Sequence, residues 1–192
     1  MSNSLAIATV TGTLVTRVKA LVNGVGLTSY AATAEHPRAD PSPGVYLTLY
    51  HVAPNAALRN LDLPTRRPGG EAAQRPVLAL TLRYPFSFVG DPAKFDGERL
   101  AGLVLADLHA RPVIMPVEFA AFLTSQPRGS FLRASDLGRQ LERVKLTPLG
   151  LDMDELSRIW GLWNQSFFAL SMAWEATAVL LDGELEPEAA LP

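Results

Sequence analysis

Residues 44–83 read GVYLTLYHVAPNAALRNLDLPTRRPGGEAAQRPVLALTLR, and the fold follows from how this stretch divides. Two strand-like runs, 45–52 and 77–84, flank a long polar loop rich in Pro, Gly, Asn and Arg. In the first run Val45, Leu47 and Leu49 share one face, and Tyr46, Thr48 and Tyr50 share the other. In the second, Leu78, Leu80, Leu82 and Tyr84 alternate with Val77, Ala79, Thr81 and Arg83. Period two with β-branched and aromatic residues is a strand signal. Both faces are apolar enough for central strands covered on each side. The connection far exceeds a hairpin, and loops of that length in a compact domain usually carry function or are disordered. This loop is therefore the first place to look for function.

Outward from there, composition bounds the rest. At 192 residues the chain suits one domain with a tail and can bury roughly 70% of its unfolded surface. It is 48% hydrophobic and 19% charged, with a formal net charge of -2. That balance offers no general attraction to phosphate backbones, so no nucleic acid is expected as a partner. With 0 Cys there is no disulfide, thiolate metal site or cysteine nucleophile, which fits a reducing cytoplasm. Arg17 is the first positive charge, so the basic region of a signal peptide is not expected. No stretch reaches the ~20 apolar residues of a membrane-spanning helix, so a soluble chain without direct membrane insertion is expected.

Before the central runs, Ile7, Val10, Leu14, Val18 and Leu21 recur at helical spacing, widened by Leu5, Val15 and Val22. Thr9, Thr13, Thr16, Arg17 and Lys19 fill the other side of this helix. Ser2 or Ser4 is its expected N-cap, and Asn23-Gly24 its stop. Asn23-Gly24-Val25-Gly26 looks like a phosphate-cradling loop but follows a helix, not a strand. A short strand over 27–34 and a Pro-rich turn over 36–44 are expected next.

After the central runs, Phe86 and Phe88 continue the alternation, while Pro85 marks an edge or bulge. A helix over 95–110 has Leu100, Leu103, Val104 and Leu108 as its stripe, with His109 and Arg111 complementing the dipole at its end. A shorter helix over 116–124 is anchored by Phe119 and Phe122, and 126–135 reads as a loop. Residues 140–147 alternate as a strand, and 147–150 turn the chain. Asp152 with Glu155 opens a helix in capping-box fashion, and its buried side is Leu156, Ile159, Trp160 and Trp163. A last strand spans 168–181, with Leu170, Met172, Trp174, Ala176 and Ala178 on one face. Residues 184–192 form an acidic tail expected to be flexible. The order is α, β, β, long loop, β, α, α, β, α, β, one α/β domain over 1–183.

None of the residue groups that could carry chemistry holds up. His36, His51 and His109 lack metal-ligand spacing. Asp152, Asp154 and Glu155 sit where a helix start explains them. Trp160, Trp163 and Trp174 have core spacing, and no Ser lies in a Gly-x-Ser-x-Gly turn. No catalytic residue, metal or cofactor is expected. Arg59, Arg66, Arg67 and Arg75 are the one local concentration of positive charge worth weighing. The plain reading is a solvated loop; the sharper one is a docking loop, because Asn55, Asn60, Pro64 and Pro68 suggest a shaped segment.

Certain runs also carry a family resemblance. VYLTLYHVAPNAALRNLDLPTRRPGG and RPVLALTLRYPFSFVGD resemble the N-terminal domain of the cap, or tail-terminator, proteins of phage-tail-like contractile injection systems, the Pvc16 N-terminal domain family. SNSLAIATVTGTLVTRV, LAGLVLADLHARPVI, VKLTPLGLDMDELSRIWGLW and FALSMAWEATAVLLDG extend the likeness to Gly183, and PNAALRNLDLPTR is its most specific part. Some members of the family carry further C-terminal domains.

The resemblance implies a tail-terminator-like α+β fold with a mixed, mainly antiparallel sheet flanked by helices. It implies a structural job: a homohexameric ring closing the baseplate-distal end of the inner tube and sheath. The partners would be further copies of itself and the sheath and inner-tube proteins. The particle would be assembled in the cytoplasm of the producing cell, then released or membrane-associated. The interface candidates are Asn55, Arg59, Asn60, Arg66, Arg67 and Arg75. The alternative is an adaptor or binding module of another assembly; a small-molecule enzyme comes last, since no residue suggests a substrate.

Overall fold

One 13-residue strand, β4 (Val77–Val89), has sheet partners on both sides and organises the molecule. The computed structural model describes residues 2–58, 76–163 and 168–183. Within them the chain runs α1 (Ala6–Gly24), β1 (Ala31–Thr33), β2 (Gly44–Leu47), β3 (His51–Pro54), β4, α2 (Asp96–Ala110), β5 (Val113–Ile114), α3 (Pro116–Ser125), β6 (Val144–Leu149), α4 (Met153–Leu162) and β7 (Leu170–Asp182). The described strands form a seven-stranded sheet in the order β1-β2-β4-β7-β6-β5, with β3 also paired to β4. Only β1 and β2 are parallel; the other pairs are antiparallel. The expected mixed, mainly antiparallel sheet with flanking helices is the observed architecture.

Alternation along β4 sorts the two faces. Leu80, Leu82, Tyr84, Phe86 and Phe88 are buried and pack with Leu14, Val18 and Val22 of α1 and Leu100, Val104 and Leu108 of α2. Arg83, Ser87 and Val89 point the other way. There α4 covers one end, where Trp160 joins Tyr46, Val89 and Ala169 in a second buried cluster. The Asp152 carboxylate accepts from the Glu155 amide at 2.7 Å, and the Glu155 carboxylate accepts from the Asp152 amide at 3.1 Å. The capping box expected at the start of α4 is therefore formed.

Several expectations are corrected. The run 45–52 is two strands, because three residues (48–50) face two on β4 between the pairs Leu47–Phe86 and His51–Arg83. Pro85 lies at this break; its carbonyl accepts from the Thr48 amide at 3.3 Å, and it has no N–H to return. The strand expected over 27–34 shrinks to three residues, edge strand β1. The strand expected over 140–147 is displaced to 144–149, so Pro148 and Leu149 still pair with β7 and do not form a turn. The loop 126–135 contains a 3-10 turn, Phe131–Ala134. The two-residue β5, pairing with β6, is too short to leave a periodic signal.

The start of α1 also differs. Leu5 occupies the N-cap position without a side-chain bond, while the Ser2 hydroxyl donates to the Leu180 carbonyl at the far end of the chain. Thr9, Thr13 and Arg17, assigned to the solvent side, are buried. Ser135 lies 2.7 Å from the Thr9 hydroxyl, and Asp107 of α2 and Glu118 of α3 close over Arg17. Thr9 and Thr13 return their hydroxyls to carbonyls four residues back, which lets a polar residue sit in a helix contact. Gly12 leaves room for the Phe122 ring of α3; a Cβ there would collide with it.

Last, β7 is bulged. Leu80 pairs with Val179 and Leu82 with Ala176, so β7 holds one residue more than β4 between these pairs. Ala178 takes up the slack at φ 60. The alternation therefore shifts by one, and Val179, not Ala178, continues the core face of Trp174 and Ala176.

Candidate interaction surfaces

Of the six loop residues singled out in the sequence, the described structure contains Asn55. Its side chain is turned inward, not toward solvent. Nδ2 donates to the Thr81 hydroxyl of β4 at 3.1 Å, and Oδ1 accepts from the Ala57 and Leu58 amides at 3.0 and 3.2 Å. Asn55 thus ties the beginning of the loop to the sheet in an Asx turn. Arg59, Asn60, Arg66, Arg67 and Arg75 lie outside the described residues.

The sheet face opposite α1 and α2 is polar beyond the reach of α4. The register places His51, Arg83, Glu175 and Thr147 in one row across β3, β4, β7 and β6. Arg83 Nε lies 3.5 Å from a Glu175 carboxylate oxygen, and both side chains are partly exposed. Tyr50 sits beside this row. Burial pushes its phenol pKa up, Arg83 acts against that shift, and the Glu155 and Glu175 charges add to it.

A groove of about 440 Å³ lies between α1, α2 and α3. Its apolar walls include Ala20, Leu21, Val25, Leu103 and Ala121. At its floor the buried Arg17 guanidinium donates to the Asp107 carboxylate at 2.7 Å and to the carbonyls of Asp107 and Arg111 at 3.1 and 2.8 Å. A cation thus meets the open carbonyls at the end of α2. Glu118 of α3 stands 3.7 Å from Arg17 Nη1, which has no hydrogen-bond partner. The side chain of Arg111 is 60% exposed at the mouth and also bonds Asp107. Sequence reasoning missed this cluster; the one hint was an arginine four residues beyond Thr13 on a threonine-lined face.

The other candidate groups resolve structurally. His36 stacks on Trp163 with centroids 5.5 Å apart. Trp160 meets Trp163 edge-on at 5.4 Å. Among the described residues no group of three or more His, Asp or Glu side chains could hold a metal ion. No described helix is long and apolar enough to cross a membrane. What the described surface offers is contact area of two kinds: a polar row on the sheet and an apolar groove with a charged floor.

The family described as the Pvc16 N-terminal domain matches residues 6–192. The chain belongs to that family. As a member of the Pvc16 N-terminal domain family, it is similar in fold to the cap of the anti-feeding prophage, a tube-terminating cap. That match has a TM-score of 0.50 at 14% identity and covers 92% of this chain and 58% of the cap chain. The sheath/tube terminator of an extracellular contractile injection system, PVC, in its extended state, matches with a TM-score of 0.46 at 12% identity. It covers 93% of this chain and 64% of the terminator. This family member thus spans about three fifths of the length of either solved chain. No curated protein matches the sequence.

Proposed function

We propose that this chain is the cap domain that closes the end of the tube and sheath of a contractile injection system, as a homohexameric ring, without enzymatic activity. The observation that carries the reading is family membership over 6–192, joined to a fold shared along 92% of the chain with a tube-terminating cap. The described surface is consistent with it, since its resources are contact surfaces and structural ion pairs. A cyclic ring needs two different complementary faces on each subunit, plus one for the tube or sheath beneath. The loop that Asn55 anchors, with Arg59, Arg66 and Arg67 as planar forks for carboxylates or carbonyls, is the proposed seat on the particle. Assembly takes place in the cytoplasm of the producing cell.

The test is the length distribution of particles from a strain lacking the chain. Tubes and sheaths of uncontrolled length are expected, with normal lengths restored by the parent gene. Normal particles without the chain would overturn the reading. In the same assay Arg59→Ala/Arg66→Ala/Arg67→Ala is expected to fold as the parent does and yet fail to restore length.

A further inference from the structure

Phe95 breaks a local rule at cost to the isolated chain. It closes the 3-10 turn Pro92–Lys94 at φ 56, ψ 32 and begins α2. The Asp96 amide donates to the Asp91 carbonyl at 3.2 Å and the Phe95 amide to the Pro92 carbonyl at 3.3 Å. That is the bond pair of a Schellman motif, with phenylalanine where glycine is usual. A bulky residue with positive φ is a genuine outlier. Its ring is left mostly in water, since the residue is 67% exposed. Strain that is not repaid locally points to a use elsewhere.

The surroundings say what use. At this end of α2, Phe168 and Leu170 are also exposed, and they border a cleft walled by Pro92, Gly97 and Glu98. The Glu98 carboxylate has no hydrogen bond or ion pair among the described residues. At the other end of the same helix lies the groove of Arg17 and Arg111. The 15 residues of α2 hold the two features about 20 Å apart on one rigid element. Both acids of the groove are engaged, Asp107 by the two arginines and Glu118 by the Met115 amide at 2.8 Å. The guanidinium groups, with five N–H donors each, keep capacity for one more carboxylate. The α2 start thus has an exposed ring and a spare acid. The α2 end has an apolar groove and spare cationic donors.

We infer that the groove between α1, α2 and α3 receives the Phe95 ring of a second copy of this chain, with Glu98 of that copy at Arg111. This rests on the ring reading of the cap. The contact is heterologous, so each copy offers its α2 start to one neighbour and its groove to the other, the kind of contact a cyclic ring uses. The energy stored in the left-handed phenylalanine is offset when its ring leaves water.

A chain without cysteine makes the test direct. Particles carrying Ala93→Cys/Ala121→Cys, which keep the Phe95 ring and place one cysteine beside it, are treated with a short bis-maleimide, beside each single variant and the parent. The double variant is expected to give a ladder of linked copies, and the single variants no more than dimers. Phe95→Gly is expected to melt at or above the parent temperature, since it relieves the strain, and to lose occupancy of the particle end. Parent particles treated with a lysine–carboxylate cross-linker report separately whether copies are neighbours at all. A ladder there without one from the cysteine pair overturns this interface and leaves the ring intact. No ladder from either overturns the ring reading and this contact with it. Full end occupancy by Phe95→Gly overturns the role of the ring of Phe95.

Discussion

Gln140 holds the bulge at Ala178 closed with both ends of its side-chain amide. Nε2 donates to the Ala178 carbonyl at 2.9 Å, and Oε1 accepts from the Leu180 amide at 3.2 Å. A bulge strips backbone groups of their ladder partners, and buried groups without partners are costly. Gln140, itself buried, supplies those partners from the segment before β6.

Gln140→Ala should therefore destabilise the chain by about 1–3 kcal/mol for each backbone group left bare. Ala178→Gly should stabilise it slightly, by about 0.5–1 kcal/mol. The left-handed penalty of ~1–2 kcal/mol is relieved, and glycine's extra chain entropy takes back ~0.5–1 kcal/mol. Urea denaturation measures both. A neutral Gln140→Ala would show that water replaces the amide.

Contrasting effects are expected at two helical glycines. Gly12→Ala drives a methyl group into the Phe122 ring, so α1 and α3 must part, at about 1–3 kcal/mol. Gly102→Ala in α2 meets nothing within 4 Å and should gain up to about 1 kcal/mol of helix propensity. Equal melting temperatures for the two variants would mean that α3 does not sit on Gly12.

Trp160 is the largest side chain in the cluster under α4. Trp160→Ala should cost about 3–5 kcal/mol, a large part of the ~5–15 kcal/mol available to an ordinary domain. Trp160→Phe should cost far less than that, because the indole N–H has no hydrogen-bond partner to lose. If the alanine variant melts like the parent, α4 is not anchored by this residue.

The Tyr30 hydroxyl donates to the Asp96 carboxylate at 2.5 Å, and Arg99 approaches it at 3.1 Å. The tyrosine bond first, and Arg99 after it, hold the Asp96 carboxyl below the usual carboxylate range. A folded pKa below the unfolded value, about 3.9, gives stability that is present above that value and lost as pH falls through the folded one. Tyr30→Phe removes the main cause. The gap in melting temperature between parent and variant should be widest above the unfolded carboxyl value and close as pH falls through the lowered folded one. A gap that stays constant with pH would assign the effect to packing alone.

Much of this fold could be read from its residues, and the exceptions share a cause. β4, α2 and the capped α4 have periodicity, caps and breakers that agree, so local signals suffice. Thr9, Thr13 and Arg17 look solvent-exposed because sequence polarity does not show that α2, α3 and Ser135 pack over this side of α1. Leu47 and His51 look like parts of one strand because the break lies opposite Pro85, some 35 residues later in the chain. The flip at Ala178 depends on Gln140 in the same non-local way. For the interaction surfaces, the sequence pointed to the arginine loop, and the structure adds the inward anchor at Asn55. The groove of Arg17 and the strained Phe95 became visible only with backbone angles and burial in hand.

The central claim is position on the particle, and imaging tests it most directly. Particles carrying a tagged copy of the chain are purified, and their ends are averaged without imposed symmetry. The cap reading expects tag density at one end only, as a sixfold ring in contact with tube and sheath. Density along the length, absence from both ends, or a stable fivefold ring or dimer at the end would contradict it.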